Sequence, residues 1–269
     1  MAKKIDTLLE RVEALEGAVE PVSDDSTPSE IPSFYEFCRH LKIEKRGATS
    51  DEGLIPFAPE IWREGQKTVA AYLVEKWENQ QPIRLMLHKS RQYHGASTIV
   101  QAFLFWLIHF RPHRHAAVAA HEDKSSRGIF GNIRRFTDNL PDGFKKPLMA
   151  DKVMREKLEY AAPHASWFLS ATAGNANVFR SFHIHYFHGS EVDFYPNPED
   201  FFQGVNPCFP SINETYDSVI IKESTARCRG YFYEECKKAW EGVSDYDFIF
   251  LSWKDEPGCR IPLGPGEKL

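Results

Sequence analysis

The chain has no C-x-x-C pair, and its five cysteines (Cys38, Cys208, Cys228, Cys236 and Cys259) are odd in number and scattered. That pattern excludes a disulfide framework and a cysteine-built zinc site, and reads as reduced thiols. No apolar run is long enough to span a bilayer; the nearest, Phe103 to Phe110, is short and carries His109. Lys3 and Lys4 are followed by no apolar block, so no secretory signal is expected. Internal repeats are lacking as well. A cytosolic protein with no membrane contact is the expectation.

What is present is ordinary in bulk. With 42% hydrophobic and 26% charged residues, 269 residues suit one large domain or two small ones around a sizeable core. Charge is uneven. Residues 1–30 hold three basic against eight acidic groups, which accounts for the whole net charge of −5. Residues 82–146 hold eleven Lys/Arg against four Asp/Glu, so a nucleic-acid partner would be gripped by one patch and not by global attraction. His183, His185 and His188 invite a metal reading, but no Cys or carboxylate is obviously paired with them, and they read as non-ligand histidines.

In the N-terminal segment, Ile5, Leu8, Val12, Leu15 and Val19 step by three and four, an amphipathic helical stripe suited to a copy of itself, a partner or the body of the protein. Residues 20–30 follow as an acidic linker, and 31–269 form the globular body. There, helices are expected around Phe34 to Leu41, Ile61 to Trp77, Ser125 to Leu140 and Tyr231 to Trp240. Strands are expected at Ile83 to Leu87, Ala116 to Ala120, Phe182 to Glu191, Ser218 to Thr225 and Asp247 to Trp253, with a hairpin over Leu158 to Thr172. Alternation of this kind predicts an α/β fold with a mainly parallel central sheet flanked by helices.

The chain is organised around Leu85 to Ile108: a buried strand, a polar turn (Lys89-Ser90-Arg91-Gln92-Tyr93-His94-Gly95) and the helix opened by Ala96-Ser97-Thr98. A helix N-terminus offers free N–H groups and a positive dipole end, a ready anion site. The layout is that of a nucleotide phosphate-binding loop, yet the G-x-x-x-x-G-K-[ST] pattern fails, because Ala96 stands where the lysine belongs. On spacing alone an ordinary strand-turn-helix remains open. In a parallel sheet, ligands sit at the carboxyl ends of strands. Here the Lys89/Ser97 loop, Glu191 and Ser224-Thr225 all stand at such ends: a carboxylate able to orient or deprotonate water, and hydroxyls able to sense a γ-phosphate.

These pieces and their neighbours resemble the ATPase domain of the large terminase subunit, the DNA-packaging motor of tailed bacteriophages and related viruses. The resembling words are Lys89-Ser90-Arg91-Gln92 with Gly95-Ala96-Ser97-Thr98, Ala119-Ala120-His121, Asn139-Leu140-Pro141 and Thr172-Ala173-Gly174-Asn175. They continue with His188-Gly189-Ser190-Glu191-Val192-Asp193-Phe194, Glu223-Ser224-Thr225-Ala226 and Phe250-Leu251-Ser252-Trp253, in family order from about Gln66 to Trp253.

The resemblance implies a P-loop NTPase core of the RecA/ASCE type with an N-terminal helical extension, and ATP and Mg²⁺ as ligands. It implies Lys89 as the phosphate lysine of a deviant loop, with Arg91 the alternative, and an ATP-binding set of Gln66, Lys89, Ser90, Arg91, Gln92, Gly95, Ala96, Ser97 and Thr98. Ser97 would hold Mg²⁺, with Ser190 in its outer shell. Glu191 is the implied catalytic glutamate, Arg180 the arginine finger for a neighbouring subunit, and Glu223-Ser224-Thr225 the coupling motif. Phe57 would pack on the base. The loop is one residue longer than the usual Arg-Gln-x-Gly, so His94 would bulge, and Ser190 stands where many relatives have Asp.

The implied partners are double-stranded DNA, a portal protein and a small terminase subunit; the basic excess of residues 82–146 offers Arg127, Arg134 and Arg135, with Lys145 and Lys146, as candidates to meet DNA phosphates. A homo-oligomeric ring on the procapsid, in the infected cell's cytoplasm, would be the working form, with a monomer in isolation. No later carboxylate cluster announces the nuclease domain that large terminases carry, so a motor domain alone is expected. The competing readings are a helicase-like nucleic-acid-dependent ATPase and a nucleotide-binding scaffold without turnover.

Overall fold

A computed structural model describes residues 31–45, 53–90, 95–149, 156–174, 177–225, 227 and 229–257. The N-terminal stripe and linker, the loop residues Arg91, Gln92, Tyr93 and His94, and Asn175 and Ala226 of the resembling words lie outside the described residues.

The body opens with α1 (Phe34–His40), started by a capping box in which Ser33 and Glu36 satisfy each other's backbone N–H. An antiparallel pair follows, β1 (Lys42–Glu44) with β2 (Leu54–Pro56). Then come α2 (Glu64–Glu78), β3 (Ile83–Lys89), α3 (Ala96–Phe110), β4 (His115–Ala120) and α4 (Asp123–Asp138). The second half runs β5 (Lys157–Glu159), β6 (Trp167–Thr172), α5 (Asn177–Arg180), β7 (Tyr186–Ser190), α6 (Pro198–Val205), β8 (Val219–Thr225), α7 (Tyr231–Trp240) and β9 (Asp247–Leu251).

Seven strands form one sheet in the order β5-β6-β4-β7-β8-β3-β9, parallel throughout except for β5, which pairs antiparallel with β6 as the expected hairpin. Helices cover both faces. Ile83, Leu85 and Leu87 of β3 join α1, α2, α3 and α4 in one core, while Met86, Phe187 and Ile220 join α6 and α7 in the other. Helix α3 is apolar on every side because it lies between the sheet and other helices; Ile99, Val100, Phe103, Leu104, Phe105 and Ile108 are all buried. Its two buried polar groups are paired, His109 Nδ1 with the Tyr160 hydroxyl at 2.8 Å and Gln101 Oε1 with Asn132 at 3.0 Å.

The opposite end of the sheet is held by Asp217. It accepts from Arg114 at 2.5 Å, Arg111 at 2.9 Å and the Tyr186 hydroxyl at 2.5 Å, tying β7 to the α3–β4 connection. The N-terminal part of the expected Phe182–Glu191 strand does not join the sheet; the ladder starts at Tyr186, and His183 and His185 cluster with His115 before it.

Candidate functional site

Strand alternation decides which groups meet. Tyr186 of β7 and Ile221 of β8 lie in the α3-side core, so by period two His188 and Ser190, and Glu223 and Thr225, share that face. Ser190 is the register partner of Glu223, and Lys89 of Thr225. Above them stands the N-terminus of α3, where Gly95 has φ +58°. Gly95 is needed twice over: its backbone is left-handed, and a Cβ there would come within 2.8 Å of Gln66 Nε2. Gln66 is buried on α2 and spans two segments. Its Nε2 donates to Gly95 O at 3.1 Å, and its Oε1 accepts from Arg63 N at 3.0 Å.

The Lys89 ammonium is the hub. It lies 3.2 Å from Ser97 Oγ, 3.3 Å from Glu191 Oε1 and 3.4 Å from Glu223 Oε1. Ser97 donates to Glu223 Oε1 at 2.5 Å and Ser190 donates to the same oxygen at 3.1 Å. Burial by itself would lower the Lys89 pKa, but Glu223 and Glu191 more than offset this and hold it above the ordinary lysine value. Burial likewise favours the neutral form of Glu223, yet Lys89 first, then His188 and Ser97, hold it well below the usual carboxylate range. Lys89 and Glu223 thus favour each other's charged form.

Glu191 follows the last residue of β7 with φ 56° and ψ 50°, a left-handed conformation that costs a non-glycine residue energy. That turn swings its carboxylate back over the strand ends. Oε1 meets Lys89, while Oε2 accepts from Thr225 N and Thr225 Oγ1, both at 3.2 Å, and from Ser224 Oγ at 3.4 Å. Asp193 N donates to Ser224 Oγ at 3.2 Å and Asp193 Oδ2 accepts from Arg227 N at 2.8 Å, so the turn after β7 is tied to the end of β8. A cleft of about 590 Å³ opens beside Lys89 and Thr225, walled by Phe194, Phe250, Trp253 and Arg227. That is room for a nucleotide-sized ligand.

The structure thus brings Lys89, Ser97, Ser190, Glu191, Glu223, Ser224 and Thr225 together, with Gln66 and Gly95 beside them. Ala96 is buried under the helix start, Thr98 is half-buried behind Ser97, and Ser90 donates its N–H to Leu251 O. Arg180 is outside the cluster: it is exposed at the end of α5, its guanidinium against Gly204 of α6. Arg127, Arg134 and Arg135 lie on α4; Arg127 pairs with Asp123, Arg134 stacks on Phe130, and Arg135 binds Glu44 and Asn132. Phe57 cannot meet an incoming base, because it is 1% exposed and packed against Trp62.

His188, read as a non-ligand histidine, is fully buried with Nε2 3.3 Å from Glu223 Oε1. Its position two residues before Ser190 on one strand was the available signal. The oxygen donors of Ser97, Ser190, Glu191 and Glu223 are hard ligands of the kind Mg²⁺ takes, and Glu223 Oε2 is buried with no hydrogen-bond partner among the described residues, so this donor set fits a divalent cation.

No protein-family model and no curated protein matches the sequence. Solved structures do. The chain is similar to the large terminase ATPase domain of Thermus phage P74-26, with TM-score 0.53 and 17% identity over 70% of this chain and 82% of that one. The large terminase of bacteriophage HK97 gives TM-score 0.56 and 12% identity, covering 82% of this chain and 43% of that one. The large terminase of the thermophilic bacteriophage D6E in complex with ADP gives TM-score 0.52 and 10% identity, covering 72% and 46%. The chain spans less than half the length of the HK97 and D6E proteins. At these identities the likeness is one of fold, and the fold of this chain is that shared by the large-terminase ATPase domains of these phages.

Proposed function

We propose that this chain is an ATP-hydrolysing motor domain that drives double-stranded DNA into a viral procapsid. The observation that carries the reading is the Lys89 ammonium held among Ser97, Glu191 and Glu223 at the carboxyl edge of a parallel sheet, under a helix N-terminus. The D6E terminase, of the same fold, has been crystallised with ADP and with ATP-γ-S, which supports nucleotide binding.

In this reading Lys89 leaves the carboxylates for the phosphates and neutralises charge that grows on the phosphoryl oxygens as the terminal P–O bond breaks. Glu191 then has a free oxygen with which to orient the attacking water and take its proton. Ser97 would hold Mg²⁺, which when bound would supply charge neutralisation to the phosphates. Gln66 fixes the loop through Gly95. Thr225 and Ser224, bonded to Glu191 Oε2, sense whether that carboxylate faces Lys89 or water, which is the task of a coupling motif. Arg180 serves a neighbouring subunit, and the exposed side of α4 meets DNA phosphates. Docking on a portal protein with a small terminase subunit, as a ring, belongs to the same reading.

Steady-state ATP turnover by the wild type and by Glu191→Gln, with nucleotide binding measured in parallel, tests it. The expected result is turnover in the wild type and a loss of at least about a hundredfold in Glu191→Gln with binding retained. Binding without turnover in both would favour a nucleotide-binding scaffold. Turnover stimulated by single strands and not by duplex would favour a helicase-like ATPase.

A further inference from the structure

Position 190, just before Glu191, presents only a hydroxyl beneath Ser97, a weak partner for the hydration shell of a divalent cation. The sheet places a carboxylate beside it from a different strand. Glu223 of β8 is in register with Ser190, is fully buried, and points to the same face. Its Oε1 takes hydrogen bonds from Ser97 at 2.5 Å, Ser190 at 3.1 Å and Lys89 at 3.4 Å, and its Oε2 has no partner among the described residues. A buried carboxylate with an uncommitted oxygen calls for a compensating cation. In this structure the cation is Lys89 itself, which sits among oxygens from three chain segments, Ser97, Glu191 and Glu223, at 3.2–3.4 Å.

We propose that Glu223, and not position 190, supplies the carboxylate that positions the divalent cation accompanying the nucleotide. Ser190 then serves to hold Glu223, and Lys89 occupies the cation's place until a triphosphate draws it away. Glu223 is a positioning residue acting through Ser97 and the cation's shell. Because Ser224 and Thr225 follow it directly and hold Glu191, cation binding and the catalytic carboxylate are joined through the end of one strand. This rests on the reading of the site as an ATP site.

The test is the affinity for ATP-γ-S in Mg²⁺ and in excess EDTA, read as the ratio of the two, for the wild type, Glu223→Gln, and Glu223→Ser combined with Ser190→Asp. Circular dichroism and melting establish that each variant is folded. The wild type is expected to bind more tightly with metal. Glu223→Gln should lower the metal enhancement about tenfold or more, as loss of an outer-shell partner does elsewhere. The double variant, which returns one carboxylate to the pocket from β7, should recover it.

An enhancement in folded Glu223→Gln equal to that of the wild type overturns the proposal while leaving the ATP site standing. No nucleotide binding by the wild type overturns the ATP site, and this proposal with it. Should Glu223→Gln not fold, anomalous scattering from Mn²⁺ in wild-type crystals with ATP-γ-S decides. An ion beside Ser97 with Glu223 on its water shell supports the assignment, and an ion with no approach to Glu223 overturns it.

Discussion

At the residue scale the site is governed by compensation. Lys89 balances two carboxylates, and Glu191 is held in a left-handed turn by donors on the neighbouring strand. If Lys89 meets the phosphates as proposed, replacing it by Ala removes that charge-assisted contact, and Ala96 offers no substitute. Lys89→Ala is therefore expected to lower ATP turnover by about a hundredfold or more, and normal turnover in a folded variant would shift the phosphate contact to Arg91. The same substitution removes the first of the groups that offset the buried Glu223, leaving His188, Ser97 and Ser190 beside it, so the variant should also melt lower. The implied roles of Lys89, Ser97 and Glu191 rested on the family resemblance, since spacing alone left an ordinary strand-turn-helix open, while their positions at strand and helix ends were legible in the sequence. The position of Glu223 was not: read along the chain it belongs with Ser224-Thr225, and only the register of β8 against β7 sets it under Ser97. Strand alternation puts His188 on the face of Ser190, but its contact with Glu223 depends on the same register.

At the scale of elements, β8 carries opposite chemistry on its two faces. Glu223 points to α3, and Lys222 points the other way, 2% exposed, with its ammonium 4.1 Å from the Phe202 ring centre and 2.9 Å from the Tyr231 hydroxyl. Burial pushes the Lys222 pKa down from 10.5 to about 8, with Glu235 only partly offsetting it. The folded chain therefore binds this proton less readily than the unfolded chain. The group costs stability below pH 8, and that cost fades as pH rises from 8 towards 10.5. Lys222→Met should stabilise the fold at neutral pH by about 1–3 kcal/mol and remove the part of the alkaline rise owed to this residue. Chemical denaturation of both proteins at pH 7 and pH 10 checks it, and equal differences at the two pH values would contradict it.

The helices and strands with clear periodicity, α2, α3, α4, α7, β3, β8 and β9, were readable to within a few residues. Helix α6 was not, because eight residues opened by Pro198 around Phe201 and Phe202 give too short a pattern. The pair β1–β2 was hidden in three-residue strands.

Helix α4 bears the DNA prediction. The sequence offers Arg127, Arg134 and Arg135 together; Arg135 is half-buried against Glu44 and Asn132, while Arg127, paired with Asp123, and Arg134, stacked on Phe130, are exposed. Duplex binding is expected to be weak, indifferent to sequence and steeply salt-dependent. Arg127→Ala with Arg134→Ala should reduce the salt slope by two contacts, about 0.9 each. Titration of labelled duplex at several salt concentrations measures it, and an unchanged slope places the DNA on another surface.

For the whole molecule, the question is how one site depends on its neighbours and on its ligand. Arg180 is exposed, its guanidinium against Gly204, and no contact ties it to Lys89 among the described residues; in the proposed reading it acts on a neighbouring subunit. Arg180→Ala and Glu191→Gln should each be inactive in an assembly, and mixing them should restore part of the turnover, because a site with an intact Glu191 then meets a neighbour with an intact arginine. No recovery, where the wild type assembles and works, would make Arg180 structural or active in its own subunit. The most direct measurement is a structure of this chain with Mg²⁺ and ATP-γ-S. The account predicts the γ-phosphate within about 3 Å of the Lys89 ammonium, with Lys89 withdrawn from Glu223 and Glu191 and the metal beside Ser97. A triphosphate bound elsewhere, with Lys89 still bridging the two carboxylates, would contradict it.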